Sequence, residues 1–137
     1  MTTTFRNGVE FPNEGFVQGA LDKHFAALGF TVPGGSRADI DLLNPETGQH
    51  WVVEAKGDTK GNAGLDFKTG LGQLLLRMNE HEPETMYGVA LPDTPRFVAL
   101  CSKISEVVRL RLNLHCLLVD GDSTVRVISP SEPVGAK

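Results

Sequence analysis

Apolar positions along the chain switch between a helical and a strand period, and the switches mark out nine elements. In "EGFVQGALDKHFAAL", residues 14–28, Val17, Leu21, Phe25 and Leu28 fall on one helical stripe, with Asn13 as a cap and Gly29 as a stop. "FTV" then reads as a short strand ahead of the turn-like "PGGS". "ADIDLL" and "HWVVEAK" are strand patterns on either side of the polar loop "NPETGQ", which makes them a hairpin. The glycine-rich "GDTKGNAG" comes next as a loop. "LDFKTGLGQLLLRM" reads as a helix with Leu71, Leu74, Leu75 and Met78 inward, although Gly70 and Gly72 lower its helical propensity. "YGVALP" is a short buried strand, and Pro95 suits the first turn of one helix running through "RFVALCSKISEVVRLRL". "LHCLLVD" and "STVRVIS" close the chain as a hairpin about "GD". The order α-β-β-β-α-β-α-β-β predicts an α/β protein with a central mixed β-sheet flanked by helices.

With 137 residues, 40% of them apolar and 22% charged, the chain has the size and balance of one globular domain. That domain is expected over residues 1–128, and the Pro-, Ser- and Gly-rich segment 129–137 is expected to be a flexible C-terminal tail. No apolar run approaches the roughly 20 residues that span a bilayer, so no membrane is expected as a partner. "MTTTFRNGVEFPNEG" lacks the pattern of a secretory signal, and Cys101 and Cys116 have no metal-ligand spacing, so a reduced, cytoplasmic setting is expected. The net charge of -4 argues against strong non-specific binding to nucleic acid, and any such surface must be a local basic patch.

One stretch, "HWVVEAKG", sets an apolar strand pattern against two charges. Side chains alternate along a strand, so Glu54 and Lys56 share a face while Trp51, Val53 and Ala55 share the other. A carboxylate and an ammonium in so apolar a strand are costly to bury unless paired or bound to something. The hairpin loop sharpens this. If Asn44 pairs with Gln49, Asp39 lies opposite Glu54 and Asp41 opposite Val52; a slip of two residues would exchange Asp41 for Asp39. Opposed carboxylates with Cβ atoms roughly 5 Å apart repel each other unless a cation sits between them. Lys56 is a partial remedy, and a divalent metal such as Mg²⁺, which takes hard oxygen ligands, is a better one.

Asp39 followed by Glu54-Ala55-Lys56 at the end of the next strand resembles the PD-(D/E)xK nuclease superfamily, the restriction-endonuclease-like fold. The resemblance in element order, an αβββαβ core plus a C-terminal helix and hairpin, runs over roughly residues 14–120. Ala38 stands where the family often has proline. Gln73, with Arg77 one turn later, is similar to the glutamine-bearing helix that follows the catalytic strand in several branches, and Glu14 is similar to an acidic residue of their first helix. The resemblance implies a Mg²⁺-dependent nuclease, with Mn²⁺ as an alternative metal, that hydrolyses phosphodiester bonds in DNA. Asp39, Glu54 and the carbonyl of Ala55 would hold the metal, which polarises the phosphoryl oxygen and acidifies a water. Lys56 would orient that water or stabilise developing charge, and Gln73 and Glu14 would assist. Small domains of this type often dimerise or act with a partner subunit that supplies DNA affinity.

Lys60, Lys68 and Arg77 flank the motif in sequence and are the candidate nucleic-acid-binding side chains, by contact with phosphates. The four histidines show no ligand spacing with cysteine or with one another. Two rivals remain at this level. One is a catalytically inactive nucleic-acid-binding or scaffolding module that keeps the nuclease fold. The other is a small-molecule hydrolase using paired carboxylates, for which Lys56 would be unnecessary. The sequence leaves open DNA against RNA and the choice between Asp39 and Asp41.

Overall fold

The computed structural model describes residues 10–31, 39–78 and 84–135. Helix α1 (Glu14–Ala27) leads to a hairpin of β1 (Asp39–Leu43) and β2 (His50–Ala55). Helix α2 (Ala63–Leu76), strand β3 (Met86–Pro92) and helices α3 (Pro95–Ser102) and α4 (Glu106–Leu112) come next. A hairpin of β4 (Leu114–Val119) and β5 (Val125–Ile128) completes the set of elements. The strands form one sheet in sequence order, β1-β2-β3-β4-β5. Both hairpins are antiparallel, while β2–β3 and β3–β4 are parallel. Parallel neighbours need a long crossover, which α2 supplies for the first pair and α3 with α4 for the second. The chain is thus the expected α/β protein, a mixed sheet flanked by helices.

Each face of the sheet carries its own core. Val17, Ala20, Leu21 and Phe25 of α1 pack on Ile40, Leu42, Trp51, Val53, Ala55 and Leu117. Phe67 and Leu74 of α2, with Phe97 and Cys101 of α3, pack on Val52, Val89, Leu91, Cys116 and Leu118. The alternation expected in β2 holds: Trp51, Val53 and Ala55 face α1, and Val52 faces α2. Cys101 and Cys116 are free and buried. Their mutual hydrogen bond, together with burial, pushes the Cys101 thiol up, so it stays protonated and unreactive.

Asn44 builds the first turn. Its side-chain oxygen accepts from the Glu46 and Thr47 amides, and its backbone amide donates to the Gln49 carbonyl. That closure gives the register read from the sequence, with Asp39 opposite Glu54 and Asp41 opposite Val52.

Several local expectations are corrected. "FTV" supplies only a single bridge between Thr31 and Leu43, and Val32 lies outside the described residues. The one helix expected through "RFVALCSKISEVVRLRL" is two, because the Ser105 hydroxyl accepts from the Val108 amide and caps a fresh start. The apolar periodicity runs across that break because Phe97, Leu100 and Leu112 all meet the same core. Asn13 occupies the N-cap position of α1 with extended backbone, but its side chain makes no capping hydrogen bond. Leu28 and Leu75 are exposed. In α2 the inner stripe is Ala63, Phe67, Gly70 and Leu74, so Leu75 is turned away from it. The segment after residue 129, expected to be a flexible tail, is described as far as Gly135. Buried Arg109 donates to the Ser129 and Glu132 carbonyls, and Val134 packs on the second core.

Candidate active site at the end of strand β2

Three segments meet where β2 ends. Glu54 is the penultimate residue of β2, only 3% exposed, and alternation turns it to the face of the sheet that α2 covers. Ala55 ends the strand fully buried, and the Lys56 amide continues the parallel pairing by donating to the Ala90 carbonyl at 3.0 Å. The backbone then turns hard against the start of α1. A Cβ placed on Gly57 would lie 2.2 Å from the Glu14 amide nitrogen, so only glycine allows this approach. The Asp58 amide donates to the Pro12 carbonyl at 2.9 Å and fixes the contact. Farther along the loop, the Thr59 amide and hydroxyl both donate to the Asp66 carboxylate on the first turn of α2.

Lys56 lies in a cradle made by these contacts. Its stem runs over Gly70, where an added Cβ would come within 2.7 Å of the Lys56 Cγ. Its ammonium lies 3.8 Å from a Glu14 carboxylate oxygen. Gln18, one turn along α1, donates to the other Glu14 oxygen at 3.3 Å. Glu14 thereby orients the lysine from the helix N-terminus, where a carboxylate is also favoured by the helix dipole.

Glu54 has a neighbour that the sequence pattern placed elsewhere. Arg77, the residue that caps the C-terminus of α2, brings Nη1 to 3.7 Å from a Glu54 carboxylate oxygen. The same nitrogen donates to the Val53 carbonyl at 3.3 Å. Arg77 is therefore folded onto β2 and is not a freely solvated phosphate contact. Positions 66, 70, 73 and 77 form one stripe of α2, so Gln73 sits between Gly70 at Lys56 and Arg77 at Glu54, exposed to solvent.

The remaining candidates separate. Asp39 begins β1 opposite Glu54, and its side chain lies outside the described residues. Asp41 is exposed and engaged by the Nε2 of His50. Lys60 is exposed in the loop after β2, and its backbone adopts a positive φ of 50°. Lys68 is exposed on the side of α2 opposite Arg77, nine residues being two and a half turns. Sequence reasoning missed Gln18, Gly57 and the inward turn of Arg77. The four-residue spacing of Glu14 and Gln18 was a readable signal; the other two depend on contacts between distant segments.

The oxygen donors suit a hard divalent cation. A buried carboxylate on Glu54, the adjacent Ala55 carbonyl and Asp39 in register across the hairpin are ligands of the type Mg²⁺ takes. Among the described residues no three His, Cys, Asp or Glu side chains are grouped to hold a metal. Also among the described residues, no helix is long and apolar enough to cross a membrane.

No protein-family model matches the sequence, and no curated protein matches it. Solved structures do. The chain resembles an XisH family protein from Nostoc punctiforme with a TM-score of 0.57 and 15% identity, over 82% of this chain and 98% of the other. It also resembles an FdxN element excision controlling factor protein from Anabaena variabilis with a TM-score of 0.60 and 17% identity, over 83% of this chain and 98% of that one. At such identities the likeness is one of fold: these proteins share the mixed sheet and its flanking helices.

Proposed function

We propose that the chain is a divalent-metal-dependent nuclease of the PD-(D/E)xK type that hydrolyses phosphodiester bonds in DNA. The observation that carries this reading is the hairpin register, which sets Asp39 opposite the buried Glu54 with Lys56 two residues on. Mg²⁺, or Mn²⁺ in its place, would be held by Asp39, Glu54 and the Ala55 carbonyl, and when bound it supplies positive charge to the phosphoryl oxygen and acidifies a water. Lys56, steered by Glu14, would hold that water or meet the charge that develops on the phosphate. Gln73 stands exposed on the same stripe of α2, within the rim a substrate would cross. Lys60 remains the candidate phosphate contact. The name of one structural neighbour, an element excision controlling factor, is compatible with strand cleavage and is no more than that.

A second reading is favoured by one observation, the Arg77 guanidinium beside Glu54. A protein that kept the nuclease fold as a binding module would have a use for such a pair in place of a metal.

Supercoiled, linear, single-stranded and branched DNA, with an RNA control, incubated in Mg²⁺, Mn²⁺ and EDTA, separates the two. Cleavage should appear with metal and vanish in EDTA. Glu54→Gln should lower both Mg²⁺ affinity by calorimetry and cleavage. Lys56→Ala should keep Mg²⁺ binding while cleavage falls by about 10²-fold, the scale of one transition-state contact. Binding without cleavage on every substrate would favour the second reading.

A further inference from the structure

The contact between Arg77 and Glu54 bears on how the proposed metal site is controlled. Glu54 is almost wholly withdrawn from water, and a carboxylate there keeps its charge only with compensation close by. Arg77 provides some, with Nη1 at 3.7 Å. Its anchoring to the Val53 carbonyl at 3.3 Å holds the guanidinium over β2 from just past the end of α2. Arginine does not lose its charge in a protein, so this positive charge is permanent. A carboxylate has lone pairs enough for an arginine and a metal together. Two cations within a few ångströms of one carboxylate nevertheless repel each other, and the buried setting screens them poorly.

We propose that Arg77 is the resident counter-cation of Glu54 in the metal-free protein and competes with a divalent ion for that carboxylate. Arg77 then sets the metal affinity of the site. The proposal rests on the metal-site reading and adds to it a residue whose effect on the metal is adverse. Arg77 is a positioning residue in this scheme and touches neither substrate nor reacting atoms.

The test uses the full chain. Arg77→Gln removes the charge and leaves a shorter, neutral polar side chain. Calorimetric titration with Mg²⁺ should show Arg77→Gln binding about tenfold more tightly than the native protein, the scale of a partly screened interaction between unit charges. Urea unfolding in EDTA of the native chain, Arg77→Gln, Glu54→Gln and the double variant should give a non-zero coupling between the two positions. Equal Mg²⁺ affinity in native protein and Arg77→Gln, or weaker affinity in the variant, overturns the proposal and leaves the metal site standing. No Mg²⁺ or Mn²⁺ binding in any variant overturns the metal site itself and the proposal with it. Should Arg77→Gln not fold, Arg77→Lys shortens the reach to Glu54, and its Mg²⁺ affinity should rise by a smaller factor. An unchanged affinity there would likewise overturn the competition.

Discussion

The ring of His115 packs against Trp51 with centroids 4.6 Å apart, and its Nδ1 lies 3.1 Å from the Tyr87 carbonyl and 3.2 Å from that of Asn113. Two carbonyl oxygens can only accept, so Nδ1 carries the hydrogen. Burial holds the ring below its ordinary pKa of 6.5, and the two carbonyls only partly offset that. As pH falls through about 6.5 the unfolded chain takes up a proton that the folded ring resists, so stability declines from there downward. His115→Phe, which keeps a ring against Trp51, should flatten the dependence of the urea midpoint on pH between about 7 and 5.5. An unchanged slope would place the acid sensitivity elsewhere. At this scale the sequence was informative about charge and silent about direction. The "HWVVEAKG" motif shows a buried carboxylate because its apolar neighbours demand a sheet interior. Arg77 carries no such sign, since an arginine after a helix reads alike whether it enters solvent or folds back to Glu54.

Helix α2 shows where periodicity misleads and which glycine matters. Leu74, Leu75 and Leu76 in succession cannot all face one way, and only Leu74 is buried. The inner stripe is completed by Gly70, whose missing side chain leaves room for the Lys56 stem. Gly72, two residues on, has nothing within 4 Å of an added Cβ. Gly72→Ala should therefore stabilise the protein by up to about 1 kcal/mol through helix propensity alone. Gly70→Ala gains the same propensity but drives a methyl against Lys56, so cleavage should fall even where the melting temperature does not. Thermal unfolding and a cleavage time course on the two variants check both statements, and equal effects at the two positions would remove the special place given to Gly70. The break at Ser105 was legible in principle, because serine before "EVV" can cap a helix; the uninterrupted apolar period outweighed it. "FTV" has the composition of a strand, but its described residues make only one bridge with β1.

In the whole molecule, the element order and the first hairpin's register were legible from turns and alternation, because both are set by residues close in sequence. The cradle around Lys56 was not, because Gly57 meets Glu14 and Gly70 meets Lys56 across long stretches of chain. Every residue assigned to the site, from Glu14 to Arg77, precedes β3. The C-terminal elements extend the sheet beside it: β3 pairs with β2, β4 pairs with β3, and α3 packs on the same face as α2. This unequal division has a consequence for how the protein can fail. Damage among these later elements, such as Leu118→Ala, which truncates a fully buried residue, costs about 2–5 kcal/mol and acts only through the folded fraction. Such losses should be conditional, abolishing function at a high growth or assay temperature and restoring it at a low one or with an added osmolyte. Losses at Glu54 or Lys56 should persist under every condition. A library scored for cleavage at two temperatures would sort the chain into a C-terminal half that is heat-sensitive when hit and an N-terminal half whose key positions have no permissive temperature.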